Sequence, residues 1–505
     1  MSSVYFHFSH FCAIIIKSEK PISPALLFRL EIPVSAAALP HLWFLTVHCF
    51  PHRSFSAGEQ EAGRTGGCTD FLKSDVRTIY QRYLLPTLGS ALAMSIYSIV
   101  DTMAVGRYAG PAGTAALAVV NPVYVIMVVI AFLCATGGSV RFGNALGRGD
   151  RREANAYFCA SLVLCALMTA LTWILLLLRY REIFVFFGAN EEILPVASEY
   201  GIWIIRFFPV IVVPDFLASF LRMDGDPHRA LAAVITGGCL NMFLDWFLVF
   251  PMGMGVEGAA IATVIGTCLQ CVIMLSHFFS PKNHLHLAHF SSPCKTMGRI
   301  ISSGISASVL DLGNVVLALV MNRQIMRYGS TAVLGVYGVI STIAILFQAL
   351  FAGVGQTIQP GVSVNCGAGL WDRAEKFYRC GILTALGMGA AFALLGELFP
   401  TALIRLFMKT TPEVLEAAPA YVRSYFPSFL FLGYVVVTIY YLQSVLQKRA
   451  AALLSFLRAF VLPEILLLAL PSLFALPGVY ASLPVAEFLL AVLAFLFQRR
   501  IDRRG

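Results

Sequence analysis

From Phe71 onward the chain is a succession of long apolar runs, parted by short stretches that hold glycine, proline and basic residues. Runs of about 18 residues or more are long enough to cross the hydrocarbon core of a bilayer as α-helices. Each span then satisfies its own backbone hydrogen bonds, which lipid cannot do. Continuous rather than alternating apolar character argues against a β-barrel. The composition agrees: 58% of residues are hydrophobic and 12% charged, against roughly 25% charged in an average soluble domain. The fold class expected is an all-α polytopic membrane protein.

Twelve helices are expected, at about 78–104, 112–146, 153–178, 192–222, 229–250, 257–280, 297–325, 330–364, 373–399, 415–446, 449–473 and 477–498. Pro86, Pro122 and Pro360 are expected kinks. Residues 1–72 differ in character. They carry His7, His10, His41, His48 and His52 and the run "SAGEQEAGRTGGCTD". Neither a signal peptide nor a further helix fits well; a disordered tail or a start codon assigned too far upstream is expected. The domains expected are this tail (1–72), a first lobe of six helices (73–285) and a second (286–505).

A net charge of +9 would suggest nucleic acid in a soluble protein. Here the basic residues lie in short loops, where they set topology. Placing the start of the first helix in the cytoplasm puts about three times as many lysines and arginines on that side as on the other. The expectation is a multi-pass protein of the plasma (inner) membrane, both termini cytoplasmic. Its partners are the lipid bilayer and a small molecule, with no nucleic acid, and the chain is a monomer. The 12 cysteines are scattered, without metal-site spacing, and read as small buried apolar residues.

The chain also repeats itself. "GRYAGPAGTAALAVV" from Gly106 is similar to "MRYGSTAVLGVYGVI" from Met326, and at an offset of 220 residues Arg107, Gly147 and Gly149 match Arg327, Gly367 and Gly369. An even number of helices per half makes the repeats parallel, related by an axis along the membrane normal. Such halves enclose a central cavity.

Against this apolar background, polar residues inside the membrane stand out. A charge at the bilayer centre costs about 2.5–3.5 kcal/mol on insertion scales. The first helix holds Asp101, with Tyr97 and Ser98 one turn before it on the same face. The fifth holds Asn241 and Asp245, four apart. The sixth holds Thr263, beside a ridge of Gly258, Ala262 and Gly266 that permits close packing. If these helices meet, two carboxylates, an amide and a hydroxyl converge, a set of hard oxygen ligands suited to Na⁺. Two close carboxylates also suit a proton carrier. Bracing of neighbouring helices is the alternative for each. Adding 220 leads to Met321, Val461, Ile465 and Leu483, so the cation site is expected in the first half only. Asp215, Asp311 and Asn322 are candidates for the cavity wall. Glu199 and Arg206 are candidates for a buried pair, and Arg458 is a candidate partner of Glu464 or Glu487. No P-loop, G-x-S-x-G or H-E-x-x-H motif is present, so neither an ATPase nor another enzyme is indicated, and no cofactor is expected beyond a coupling ion, Na⁺ or H⁺.

At this point the pattern resembles the multidrug and toxic compound extrusion (MATE) family, in its DinF-like prokaryotic branch. The resemblance rests on "VDTMAVGRY", "GNALGRGDRREA", "FLRMDGDPHRA", "LNMFLDWFLVFPMGMGVEGAAIAT" and "GVGQTIQPGVSVNCGAG", in order along residues 74–500. Trp246 departs from it, standing where many relatives have proline. The resemblance implies two six-helix lobes around a V-shaped cavity and export of organic cations against Na⁺ or H⁺. It also implies cation-binding roles for Asp101, Asn241, Asp245 and Thr263, with Tyr97 nearby. The alternatives are a lipid-linked oligosaccharide flippase of the wider superfamily, and a membrane receptor that transports nothing.

Overall fold

The computed structural model describes residues 68–290, 292–407 and 412–502. The expectation for residues 1–67 lies outside the described residues; residues 68–72 belong to a short helix, Cys68–Lys73, whose Phe71 is buried against Tyr83. The helices that follow are α1 Val76–Gly110, α2 Ala112–Gly147, α3 Arg151–Phe186, α4, α5 Pro227–Val249, α6 Gly255–Phe279, α7 Pro293–Tyr328, α8 Thr331–Gly367, α9 Trp371–Leu398 and α10, followed by a stretch from Lys448 to Asp502. That last stretch breaks at Ala475, where φ is 52°, and so forms α11 (448–474) and α12 (476–502). With α4 counted as one bent span and the last stretch divided at Ala475, the described residues form twelve helical segments of membrane-spanning character, in keeping with the apolar runs.

Three details differ from the sequence reading. Helix α4 is two arms, Ile193–Arg206 and Phe208–Met223, bent by 58°. Helix α10 is likewise Pro412–Tyr425 and Ser428–Ser444, parted before Ser428. Among the described residues of α1 and α2, helical dihedrals run on through Pro86 and Pro122, and the interruption comes at Gly110, φ 59°. A glycine there reaches the left-handed region that other residues avoid.

Local chemistry sets the ends. Asp75 and Asp150 accept the N–H groups of Thr78 and Glu153, capping α1 and α3. Helix α2 ends at Gly149 (φ 81°) and α8 at Gly369 (φ 76°). The N–H of Asp150 then bonds Ala145 O, and that of Leu370 bonds Asn365 O, the same left-handed stop in both halves.

The two halves meet along α2 and α8. A Cβ on Gly147 would strike Val364 O, and one on Gly367 would strike Asn144 O. Each contact is the other shifted by 220 residues. Gly137 is similarly pressed on Ile300 O, and Gly304 on Leu133 O, and Asn144 Nδ2 donates to Ser444 O at 3.0 Å. Residues 133–146 and 357–365 are therefore buried on every face, whereas nearer the other end Ala118, Asn121, Gly338 and Thr342 are exposed. The lobes are packed together at the Gly147/Gly367 end and part toward the opposite one.

The segment between α6 and α7 is fastened to the first lobe. The His284 N–H donates to Asp224 Oδ2 at 2.9 Å, its Nδ1 lies 3.1 Å from Asp224 Oδ1, and the His286 N–H donates to Asn155 Oδ1. Fully buried His277 places Nε2 2.8 Å from Asp224 and Nδ1 3.3 Å from Asp226. Burial pushes the Asp226 carboxyl up, but hydrogen bonds from His277 and Arg229 outweigh it and hold the group well below the usual carboxylate range.

Candidate functional site

Glycines decide how closely the helices of the first lobe approach. Helices α5 and α6 cross at Gly237 and Gly266: a Cβ on the first would lie 2.7 Å from Gly266 O, and one on the second 2.8 Å from Gly237 O and 2.9 Å from the Asn241 Cβ. Helix α1 packs on α5 at Gly238, where a Cβ would lie 2.9 Å from the Tyr97 ring. Without side chains at these positions, α1, α5 and α6 draw together around the polar residues one turn away.

The four residues read from the sequence as cation ligands converge there. Asn241 Nδ2 donates to Asp245 Oδ1 and Thr263 Oγ1, each at 3.4 Å. These are long contacts, at the weak edge of hydrogen bonding. Asp245 is fully buried, and its carboxylate is close enough to that of Asp101 for the two charges to act on one another. Tyr200, on the first arm of α4, donates to Asp101 Oδ2 at 3.3 Å and also faces Thr263. Tyr200 thus bridges the α1 acid to the α5–α6 pair. Sequence reading missed it, since one tyrosine in an apolar helix carries no distinguishing signal.

Three oxygens of the set are left over. Asp101 Oδ1, Asn241 Oδ1 and Asp245 Oδ2 are buried and accept no hydrogen bond. An unpaired buried acceptor costs about 1–3 kcal/mol, and more when charged. Three acceptors with no donor form an anionic, oxygen-lined site, which a hard cation or a proton satisfies. Among the described residues no group of three His, Cys, Asp or Glu side chains is placed to hold a metal ion; the set here is two carboxylates, an amide and a hydroxyl.

Other candidates fall outside this set. Tyr97 faces Tyr124 and Gln270, with Asp215 in electrostatic reach. Asp215 sits on the second arm of α4, with Arg222 two turns further along. These residues form a second polar layer beside the first, and Tyr124 is another member that sequence reading missed. Asn322 is exposed on α7 of the second lobe. Asp311 lies on α7, and its side chain is outside the described residues. Glu199 and Arg206 do not form a buried pair: both are exposed, and Arg206 lies over the Trp203 ring instead. Both stand on the first arm of α4, where a seven-residue spacing sets them about 10 Å apart along the axis, and a helix pairs side chains three or four residues apart, not seven.

The second lobe repeats the framework without the acids. Tyr421 OH contacts Met321 Sδ at 3.7 Å, as Tyr200 contacts Asp101. By the turn before α11 the repeat register has moved to 221: Asp226 N–H bonds Leu221 O, and Gln447 N–H bonds Leu442 O. A π-helical turn, Leu457–Val461, then inserts one residue more. Beyond it Asp245 is matched by Leu467, which is fully buried.

The MatE family model matches residues 86–247 and 311–467. The multidrug export protein MepA of Staphylococcus aureus (strain MSSA476) is 23% identical over 438 residues, covering 84% of this chain and 94% of its own. The probable multidrug resistance protein YoeA of Bacillus subtilis (strain 168) is 23% identical over 364 residues, covering 70% and 77%. Among solved structures, an outward-facing multidrug resistance MATE family transporter of the MOP superfamily superposes with a TM-score of 0.81 at 21% identity, over 87% of this chain and 98% of that one. A MOP superfamily transporter from Pyrococcus furiosus gives 0.80 at 20% identity, over 86% and 98%.

Proposed function

This chain belongs to the MatE family of transporters, and we propose that it exports drug-like organic cations in exchange for Na⁺ or H⁺ bound between Asp101 and Asp245. It is a multi-pass membrane transporter, not an enzyme. MepA is by name a multidrug export protein and YoeA a probable multidrug resistance protein, which supports drug efflux here. The observation that carries the coupling is the set of three buried acceptors, Asp101 Oδ1, Asn241 Oδ1 and Asp245 Oδ2, left without donors where α1, α5 and α6 meet.

In this reading the packed Gly147/Gly367 end faces the cytoplasm, the side that carries the excess of lysine and arginine, and the cavity opens outward. A cation or proton entering the site neutralises the acids, and α1 repacks against α5 and α6. The repacked cavity favours release of the exported substrate outside. Binding of the two partners in exclusive states is sufficient for exchange, because each ligand shifts the equilibrium by its differential affinity for the two states.

A flippase for phosphate-linked sugars would need cationic groups free to bind phosphate. Arg458 is neutralised by Glu487, and Arg423 lies beside Glu397 at 3.5 Å. Dye efflux from proteoliposomes, with Na⁺ and proton gradients imposed separately, tests the proposal. Asp101→Asn is expected to abolish gradient-driven efflux while the protein stays folded, and undiminished coupled efflux in that variant would refute the assignment.

A further inference from the structure

The second lobe holds a buried ion pair that the proposed coupling site does not use. Arg458 Nε donates to Glu487 Oε1 at 3.0 Å, with side chains only 8% and 11% exposed. Arg458 stands on the π-helical turn of α11, and Glu487 on α12. Tyr425 of α10 lies in electrostatic reach of both. One turn before it, Tyr421 stacks on Tyr337 of α8 and Tyr480 of α12, with ring centroids 6.3 Å and 4.2 Å away. The pair thus borders a cluster of four tyrosines.

This pair is incompletely made. A guanidinium offers five N–H donors, and an ion pair that serves only to brace helices in an apolar medium needs two-point geometry with its remaining atoms satisfied. Here a single Nε contact is formed, and Glu487 Oε2 is buried with no partner. The position is also particular. In the register of the turn before α11, Arg458 corresponds to Gly237, and Ala459 to Gly238. Gly238 packs on Tyr97 of α1, and Ala459 packs on Gly313 of α7, one turn before Leu317, the counterpart of Tyr97, so both positions face the first helix of their own lobe. Where the first lobe joins α5 to α6 through glycines beside its acids, the second joins α11 to α12 through a carboxylate already holding a tethered cation. π-turns of this kind recur at functional sites, and an ionisable residue within the membrane carries a functional reading by default.

We propose that Glu487 is the second lobe's anionic contact for the transported organic cation, and that Arg458 occupies it between turnovers. The incoming cationic group takes the unpartnered Oε2 and displaces the guanidinium, while Tyr425, the one ring of the four that is not buried, borders the apolar body of the substrate. The exchange keeps one positive charge on Glu487 throughout. This inference rests on the reading of the chain as an exporter of organic cations.

Binding to the full chain in nanodiscs tests it, with tetraphenylphosphonium as the cationic probe and triphenylphosphine oxide as its neutral counterpart. Glu487→Gln is expected to weaken tetraphenylphosphonium binding at least about tenfold and to leave the neutral probe unaffected. Arg458→Gln, which removes the internal competitor, is expected to tighten it. The double variant Arg458→Gln/Glu487→Gln has no buried charge left unpaired. It serves if the single variant fails to fold, and is expected to bind only the neutral probe. A pair that merely braces the helices gives the opposite pattern: both single variants lose both probes with a fall in Tm, and the double variant regains both, which overturns the inference. If Glu487→Gln or the double variant keeps wild-type affinity for a cation that the wild type exports, the inference alone fails. If the wild type drives no cation flux under any gradient, the exporter reading fails with it.

Discussion

Tyr421 and Met321 stand in the second lobe as Tyr200 and Asp101 stand in the first, hydroxyl against side chain, at 3.7 Å and 3.3 Å. One lobe presents a carboxylate to its tyrosine and the other a thioether. The framework for a cation site is therefore duplicated, and its charge is not.

Met321→Asp should then fail to create a second coupling site. The new carboxylate would lie buried beneath Tyr421 with no counterpart of Asn241 or Thr263, a cost of about 2.5–3.5 kcal/mol. A lowered Tm and no recovery of gradient-driven efflux in an Asp101→Asn background are expected. Restored coupling would show that the tyrosine framework suffices without the α5 and α6 groups.

The glycine crossing of α5 and α6 should matter to the ion more than to the fold. Gly266→Ala brings a methyl to 2.8 Å from Gly237 O, which drives the helices apart at a cost of about 1–3 kcal/mol. The spacing of Asn241 and Thr263 widens with it. Loss of any Na⁺- or pH-dependent rise in Tm is expected. Gly298→Ala, where nothing lies within 4 Å, serves as the control and should keep it.

At the packed end, Gly147→Ala and Gly367→Ala each place a methyl against a carbonyl of the opposite lobe. Both should loosen that end and shift the population toward the alternate opening. Interlobe distances from spin labels at 148 and 368 would report it, and the two variants should act alike. A shift in one only would mean that the lobes do not share this contact equally.

The segment between the lobes should respond to pH. The hydrogen bond to Asp224 raises the His284 pKa, burial opposes it, and Arg151 opposes it weakly. A folded-state pKa above the usual imidazole value, about 6.5, means that the stabilisation is complete below that value and is lost as pH rises through the raised one. Facing groups are Asp224, Arg151 and, on the neighbouring side of Asp224, His277 with Asp226 and Arg229. Amide exchange at 284–288, corrected for its intrinsic rate, should quicken above neutrality, and His284→Gln should remove the pH dependence.

Much of the site was legible because polar residues are expensive in an apolar run: Asp101, Asn241, Asp245 and Thr263 announced themselves, and four-residue spacing placed two of them on one face. Tyr200 did not, since a tyrosine is unremarkable in such a helix and gains meaning only from the acid beside it. The bend of α4 at Phe207 was illegible for a related reason: apolar residues continue across it, so hydropathy registers one span. Counting by 220 found Met321 correctly, yet it misplaced the partners of Asn241 and Asp245. An inserted residue at the turn and another in the π-turn moved the register, and neither leaves a compositional mark. Paired glycines were visible as repeats, whereas their mutual contact appears only once the helices cross.

That mutual contact has a further meaning. Gly147 meets a carbonyl of the second half, and Gly367 meets the equivalent carbonyl of the first, which is the reciprocity of a two-fold homodimer interface. The packed end is such an interface enclosed within one polypeptide, so the two halves hold each other by surfaces of common design. The acids Asp101 and Asp245 of one half and the ion pair of the other set them apart, and the segment from α6 to α7 serves as a tether between subunits that already fit.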